Sequence, residues 1–348
     1  MASHKQLNSP PQDFEDLKAL SAEFGNKPLH IQGAGGNASI KQGDIMWIKA
    51  SGTLLAEAMT RDVFVPVDLA RIKASIASHL PDADTPAAFL ISGGSDLRPS
   101  IETSLHAVFA QRIVLHTHCI HTIAHAVQTN VGDLLATRLG NFNWAFVPYT
   151  KPGANLARSV MEVLKPDINV IVLGNHGLIV AGDSIDEVRD LQNAVHKALA
   201  LPATKLDGED HAALLARVDD RAYGLPDDPL LHQIALSDQR VAQVVAGSLY
   251  PDHVIFCGIA ATALTPNQTT QDATGDDSRP HPVCLLVPGA GLLVHKDASI
   301  GAKTMLRCLA DVITRLPGTA ELTYLTQEQN YELLDWDAEK YRQALNAE

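Results

Sequence analysis

The sequence has no apolar run that approaches the roughly 18 residues a membrane-spanning helix needs, although 46% of its 348 residues are hydrophobic. Its first residues, Met1-Ala2-Ser3-His4-Lys5-Gln6, lack the apolar stretch of a secretory signal, so we expect no leader of that kind. A chain of this length exceeds the usual single domain. It predicts one large domain with a substantial extension, or two domains.

Cysteine is scarce, and its four copies show no C-x-x-C spacing. They are Cys119, Cys257, Cys284 and Cys308. A cysteine usage of this kind argues against a disulfide framework or a cysteine-rich zinc site. It predicts reduced thiols and a cytoplasmic protein.

Basic residues are fewer than acidic ones. The chain has 27 lysines and arginines and 40 aspartates and glutamates, so its formal charge is −13. Nucleic acids and anionic membranes would be repelled by such a chain, so we expect neither as a partner. A small anionic metabolite remains compatible with this charge wherever its site is locally positive.

What the sequence does contain is a concentration of histidine at strand-like positions. In the stretch 112–118, His116 and His118 alternate with Thr117 after an apolar run, so a strand would point both imidazoles to the same face. His176 lies in a Gly-Asn-His-Gly connection between two apolar runs, a pattern typical of a β-hairpin turn. Three histidines leave one coordination position open, as in catalytic zinc sites. The alternative is that each is an ordinary hydrogen-bonded strand residue.

A glycine-rich bend, residues 31–40, and a turn, residues 50–53, flank a strand-like run. Glycines allow backbone amides to surround an anion, and Asn or Ser side chains complete such a nest. The pattern is neither G-x-G-x-x-G nor a Walker loop, so nucleotide binding is unsupported. An ordinary hairpin is the alternative interpretation of the same residues.

These motifs together resemble the class II aldolase/adducin family. The resemblance rests on Glu102-Thr103-Ser104-Leu105-His106, His116-Thr117-His118 and Asn175-His176-Gly177. The zinc enzymes of that family include fuculose-phosphate and rhamnulose-phosphate aldolases and pentulose-phosphate 4-epimerases. The sequence departs from the usual Ser-Ser-Glu motif at Ile101, and it has no tyrosine between Cys119 and Pro148 to act as a proton donor.

The resemblance implies a role for each matching residue. It implies that Zn²⁺, or another divalent metal, binds His116, His118 and His176, and that Glu102 is the catalytic acid/base. It places the substrate phosphate at Gly36, Asn37, Ser51, Gly52 and Ser100. Lys151, in a predicted turn, is either a further contact for an anionic substrate or a solvated loop lysine. The family also implies a homotetramer.

The predicted function is a metal-dependent aldehyde-lyase, an aldolase that cleaves a sugar phosphate or related sugar acid through a zinc-stabilised enediolate. Epimerisation, dehydration and decarboxylation on the same scaffold are alternatives, because all pass through a similar enolate. A non-catalytic adducin-like scaffold is a third alternative, against which retention of Glu102 and the three histidines argues. Proton transfer by Glu102 near neutral pH requires a raised pKa, and His106 and Tyr149 are the next candidates for that role.

Strands interspersed with helices predict an α/β fold, a three-layer α/β/α sandwich with a central mixed, largely antiparallel sheet. We expect a flexible terminus over residues 1–12, the family domain over 13–202, and a C-terminal α/β extension over 203–348. In the extension we predict a strand at 253–257, a mobile loop at 265–282, and helices near 302–316 and 327–345.

Residues 173–183 match residues 287–297 without a gap. The predicted repeating unit is a hairpin, a capping aspartate and a helix. Ala290 replaces the histidine, so the second copy is either a degenerate structural repeat or convergent hairpin chemistry, with no second metal site of this type.

Overall fold

The computed structural model describes residues 9–91, 97–219, 222–274 and 281–337. They form two compact units, of which the first comprises residues 1–122 and 132–199 and the second residues 123–131 and 200–348. The inclusion of 123–131 in the second unit had no counterpart in the sequence pattern. Among the described residues, no helix has the length and apolar character needed to cross a membrane.

The first unit is built on a seven-stranded sheet with the order β3-β2-β1-β4-β7-β6-β5. Strands β1 to β7 are Asn37–Gln42, Ile45–Lys49, Phe64–Asp68, Ile113–Thr117, Trp144–Val147, Val170–Leu173 and Gly177–Gly182. Helices α1 to α7 are Phe14–Gly25, Leu69–Ala77, Thr103–Ala107, Ile120–Ala126, Val131–Leu139, Ala154–Val163 and Ile185–Ala198. Short 3-10 helices lie at Leu55–Glu57, Pro81–Asp84 and Pro86–Phe89. Only β5 and β6 pair in parallel, so the sheet is mixed and largely antiparallel.

Helices cover both faces of this sheet, as the alternation along β2 shows. Met46 and Ile48 join the core cluster that includes Ile72 of α2. Trp47, between them, points to the other face and meets the ring of Phe14 on α1 at a centroid distance of 6.3 Å. The predicted three-layer sandwich is therefore confirmed.

The second unit contains a smaller, four-stranded sheet with the order β8-β11-β10-β9. Its strands β8 to β11 are Tyr223–Gly224, Thr262–Ala263, Cys284–Val287 and Gly291–His295. Its helices α8 to α13 are His211–Leu215, Asp238–Val245, Pro251–Cys257, Thr270–Thr274, Ile300–Ile313 and Gln327–Leu334, and a 3-10 helix spans Pro229–Ile234. This region is the predicted α/β extension with a sheet of its own.

Several predicted elements of the second unit were wrong. The residues predicted as a strand at 253–257 form helix α10, which begins with Pro251 at its first helical position, where proline is favoured. The predicted loop at 265–282 contains helix α11, and its residues 275–280 lie outside the described part. Helix α13 ends at Leu334, and residues 338–345 of the predicted helix lie outside the described ranges. Residues 1–8 of the predicted terminus lie outside them as well.

The repeated hairpin-helix units are present, but aspartates do not cap their helices. Ser184 accepts the Glu187 amide at the start of α7, and Ser299 accepts the Ala302 amide at the start of α12. Asp183 accepts the backbone N–H of Arg112 instead. Serine caps of this kind satisfy one of the otherwise unpaired amides of the first helical turn.

Candidate metal centre

Three histidines of the first unit converge where β4 ends beside the turn between β6 and β7. His116 is on β4, His118 lies one residue after that strand, and His176 is in the turn. Their rings form a nearly equilateral triangle with centroid distances of 5.0, 4.9 and 5.1 Å. One potential ligand atom from each lies within 4.8 Å of the others, and all three side chains are buried.

The protonation of His116 follows from its contact with the neighbouring strand. Its Nδ1 lies 3.0 Å from the carbonyl oxygen of Leu178 on β7. Because a carbonyl can only accept, Nδ1 carries the proton, and the lone pair of the neutral ring is on Nε2. Metal-ligating histidines are commonly oriented by a hydrogen bond of this type.

Glu102 is the carboxylate at this centre. Its Oε1 lies 3.5 Å from Nε2 of His116 and 3.4 Å from Nε2 of His176. Its other oxygen, Oε2, accepts a hydrogen bond of 2.5 Å from the side-chain amide of Asn37. Asn37 and His116 are direct partners across β1 and β4, so they share a face of the sheet. The sheet register thus brings Asn37 to the carboxylate.

Ser39, the next residue of β1 on the same face as Asn37, contacts His106 of α3. Ser39 Oγ lies 2.8 Å from Nδ1 of His106. Two residues of strand advance about 6.8 Å, and four residues of helix advance about 6 Å. The distance between Glu102 and His106 along the helix is therefore close to the distance between Asn37 and Ser39 along the strand, so each pair can form its contact.

The electrostatics of Glu102 differ from the expected raised pKa. Burial alone raises the pKa of this carboxyl, but its attraction to His116, His176, His118 and His106 in their protonated forms outweighs burial and lowers the pKa to about 2. Burial lowers the pKa of His106 to about 3, against the attraction of Glu102. At neutral pH the site therefore holds an ionised carboxylate beside a neutral His106.

The glycine-rich bend lies directly against the histidines. A Cβ on Gly35 would be 2.8 Å from Nδ1 of His118, and one on Gly36 would be 2.9 Å from the carbonyl oxygen of His116. Both contacts are closer than a side chain tolerates, so these positions require glycine. Lys49, buried at the end of β2, donates to the carbonyl of Ala34 in the same bend at 2.8 Å.

The other residues predicted to bind phosphate lie on neighbouring backbone segments. The amide of Ser51 donates to Arg98, and the amide of Ser100 donates to Lys49, which joins the turn 50–53 to the segment 98–100. Ser100 Oγ accepts the amide of Glu102 at 3.2 Å, and Gly52 has a positive φ of 77°. Asn37 and Ser100 thus contact Glu102 directly, whereas the turn of Ser51 and Gly52 is joined to the segment that precedes Glu102.

Lys151 belongs to a different segment, the turn between β5 and α6, where it is half-buried. The start of this turn approaches the hairpin that carries His176, because a Cβ on Gly174 would lie 2.9 Å from the amide nitrogen of Tyr149. The amide of Gly174 also donates to Val147 at 2.8 Å. The role of Lys151 stays a prediction.

Some residues around the site could not be assigned from the sequence. Lys49 is one of them, and the signal that could have found it is its position at the end of an apolar strand run, where a lysine is unusual. On the opposite face of β4, Gln192 of α7 donates to Thr117 Oγ1 and to Nδ1 of His30, each at 3.1 Å. His121 of α4 is buried as well.

The donor set fits a divalent metal ion on the evidence of these residues alone. Three imidazoles within ligand distance of one another, of which His116 has its lone pair on Nε2, correspond to a catalytic zinc site with an open position. Among the described residues a second group of potential ligands comprises Glu209, His211 and His232 in the second unit.

Comparison with known proteins agrees with this architecture. Residues 15–201 match the family described as Class II Aldolase and Adducin N-terminal domain. This match covers more than half of the chain, and the protein belongs to that family.

Two known proteins are similar to part of this chain. The chain is 28% identical over 188 residues to the Uncharacterized oxidoreductase YuxG of Bacillus subtilis, covering 50% of this chain and 27% of that protein. It therefore spans about a quarter of that relative's length. It is 26% identical over 170 residues to the L-fuculose phosphate aldolase of Methanocaldococcus jannaschii, covering 45% of this chain and 78% of that protein.

Among solved structures, the N-terminal Class II Aldolase domain of a conserved protein from Thermoplasma acidophilum is similar to this chain. The sequence identity is 25%, and the match covers 57% of this chain and 98% of that one, with a TM-score of 0.48.

Proposed function

We propose that this protein is a metal-dependent lyase of the aldolase type, which cleaves a sugar phosphate or a related sugar acid. The observation that carries the proposal is the position of Glu102. Its carboxylate is within 3.5 Å of Nε2 of both His116 and His176 and is anchored by Asn37. A carboxylate beside a three-histidine ligand set is suited to proton transfer next to a polarised carbonyl.

His116, His118 and His176 would hold the metal, with Zn²⁺ the preferred ion for three imidazoles. When bound, such an ion acts as a Lewis acid that stabilises negative charge developing on a carbonyl oxygen. Its positive charge would favour the ionised form of Glu102 as well. Asn37 holds Oε2 of the carboxylate, which leaves Oε1 to face the histidines.

In the proposed reaction Glu102, which its lowered pKa keeps ionised at neutral pH, acts as the base that accepts the proton of a substrate hydroxyl as the neighbouring carbon–carbon bond breaks. Deprotonation of the hydroxyl releases an aldehyde, and the electron pair of the broken bond moves to the substrate's carbonyl oxygen. The proton then returns to the carbon that carried the bond. His106, one helical turn away, is a candidate for relaying that proton, since it can take up a proton on one ring nitrogen as it releases one from the other.

An anionic group on the substrate is supported by the buried cation next to the glycine-rich bend. Lys49 is 2% exposed, and its ammonium contacts Ala34 within the bend that precedes Gly36 and Asn37. Its charge offsets that of a phosphate or carboxylate in a chain that is otherwise acidic. Ile101, where the family has a second serine, leaves one hydroxyl fewer for that group.

The test is the Glu102→Gln variant, assayed by a metal-loaded screen of ketose phosphates and sugar acids with product identification. The variant keeps the side-chain shape and removes the base, so turnover should fall about 10²–10⁴-fold while zinc content stays unchanged. Glu162→Gln, at an exposed glutamate of the same unit, is the matched control.

Loss of zinc together with activity would make Glu102 a ligand rather than the base. Full activity of the variant on the identified substrate would end the proposed mechanism. A homotetramer, the other expectation from the family, is measured by sedimentation on the same preparations.

A further inference from the structure

A pocket in the second unit lies outside the metal centre and has its own chemical character. It is lined by residues 224–228, by Leu231, by the end of β11 and by Lys303 of α12, and its volume is about 250 Å³. Leu225, Pro226, Leu231 and Val294 provide apolar surface. Pockets for drug-sized ligands measure about 300–1,000 Å³, so the occupant of this one is smaller.

The loop that forms one wall of the pocket is fixed at both ends. At its start, Gly224 pairs with Val294 and Tyr223 pairs with His295 across β8 and β11. At its end, Asp228 accepts the amide of Leu230 at 3.0 Å and a hydrogen bond of 2.6 Å from Nη1 of Arg307. A wall held in this way is already formed before a ligand arrives, which reduces the entropy lost on binding.

The ionic groups of the lining are two aspartates, Asp227 and Asp228, and two lysines, Lys296 and Lys303. Asp228 is paired with Arg307, which lies outside the lining and also contacts Asp311. Within the described ranges no ion pair joins Lys296 or Lys303 to a carboxylate. The two ammonium groups are therefore available to an anion, although the lining as a whole carries no net charge.

His295 adds a donor to the same wall. Its Nδ1 accepts the backbone N–H of Asp297 at 3.2 Å, so the neutral ring carries its proton on Nε2. The ring is held by stacking on His281 and by an edge contact with Tyr223. Lys296, Lys303 and the imidazole thus all present hydrogen-bond donors, and donors of this kind match the oxygens of an anion.

We propose that this pocket binds a small organic anion, a carboxylate or phosphate monoester attached to a compact apolar group. The acidic oxygens lie against Lys296 and Lys303, and the apolar group covers Leu231 and Val294. The two lysines are exposed on the protein surface, so binding weakens as the ionic strength rises.

Calorimetric titration of the full chain with benzoate and with phenyl phosphate tests the proposal, and benzyl alcohol serves as the uncharged probe of similar size. We expect both anions to bind at least tenfold more tightly than the alcohol. The double variant K296M/K303M should weaken anion binding at least tenfold. Lys205→Met, an exposed lysine of the same unit, should leave it unchanged.

The experiment also separates this pocket from the metal centre. Lys49→Met and Glu102→Gln should leave benzoate binding intact. Retention of anion affinity in K296M/K303M, or its loss in Lys49→Met, overturns the proposal, as does equal binding of benzyl alcohol. If the double variant fails to fold by circular dichroism, Lys303→Met alone is tested, with a threefold loss expected and no loss contradicting the proposal.

Discussion

The hairpin of β6 and β7 in the first unit and that of β10 and β11 in the second unit share the strand pairing and the hydrogen bond of their turns, although Gly291 has a positive φ of 132° and the matching Gly177 does not. Leu173 pairs with Gly177 across the first turn, and Val287 pairs with Gly291 across the second. The amide of His176 donates to Leu173, as that of Ala290 donates to Val287. The residue before each donor has a positive φ, 54° at Asn175 and 79° at Gly289, and these two residue types tolerate that conformation.

Each hairpin also has a histidine packed against the glycine after its turn, but the two histidines are bonded oppositely. His116 donates from Nδ1 to the carbonyl of Leu178. His232 accepts at Nδ1 from the amide of Leu292, at 3.3 Å. Leu178 and Leu292 occupy the same position of the matched segments. One histidine therefore has its lone pair on Nε2, whereas the other has its proton there.

This difference decides which histidine can bind a metal. His232 lies within ligand distance of Glu209 and His211, yet its Nδ1 lone pair is used by an amide and its Nε2 is protonated. Three ligand-type residues close together are therefore not sufficient for a metal site. The backbone group that contacts the imidazole determines whether a nitrogen is available.

The largest effect is expected at the first hairpin. His176→Ala removes one of three proposed zinc ligands, so zinc affinity should fall by more than the roughly 10–100-fold typical of losing an outer-shell partner. Competition titration with a chelating dye measures it. His211→Ala, in the second group, should leave both affinity and the stoichiometry of one zinc per chain unchanged. A stoichiometry that drops from two to one in His211→Ala would break the comparison.

Acid should destabilise the protein through its buried neutral histidines. Burial lowers the pKa of His106 and, with the charge of His196, that of His30, each to about 3. Burial also lowers the pKa of His232. The unfolded chain binds these protons below pH about 6.5, so the stability is full above that pH and is lost progressively as the pH falls towards 3.

Each such histidine costs up to about 1.4 kcal/mol per pH unit in this window. Glu102 adds to the loss only below about pH 4.5, where the unfolded chain binds its proton while the folded-state pKa of about 2 keeps the native carboxylate ionised. Urea unfolding at pH 7 and pH 5 measures the slope. His106→Gln should reduce it by about one proton, and His79→Asn, at an exposed position, should not. Equal slopes in both variants would contradict a buried neutral His106.

A smaller effect is expected at the second hairpin. His232→Leu removes the acceptor of the buried Leu292 amide and should lower the free energy of unfolding by about 1–3 kcal/mol. His232→Asn places a side-chain oxygen near the lost Nδ1 and should recover part of this. If the two variants are equally stable, the His232 hydrogen bond is not what fixes this hairpin.

The sequence pattern was sufficient for the parts of the site that depend on local order. The alternation in 112–118 and the turn at 174–177 predicted the strand, the hairpin and the convergence of three histidines. Even so, β4 ends at Thr117, and His118 reaches its place from just beyond the strand.

The sequence pattern could not predict contacts that depend on how distant strands pair in the sheet. The hydrogen bond between Asn37 and Glu102 joins residues 65 positions apart, and it follows from the pairing of β1 with β4 rather than from either segment. The error at α10 had a different cause. Its run of Val254, Ile255 and Phe256 favours a strand, but Pro251 and burial against the neighbouring helices α12 and α13 select a helix.

Asn37 and Ser39 are spaced along β1 so that they meet Glu102 and His106, and this spacing constrains the length of β1 in related proteins. Side chains alternate along a strand, so a slip of β1 by one residue would turn both polar residues to the opposite face. Both contacts would be lost together, and neither could be repaired by a single substitution on the helix. Lineages that diverge in substrate are therefore expected to vary the length of the loops around β1 while leaving the number of residues within the strand untouched.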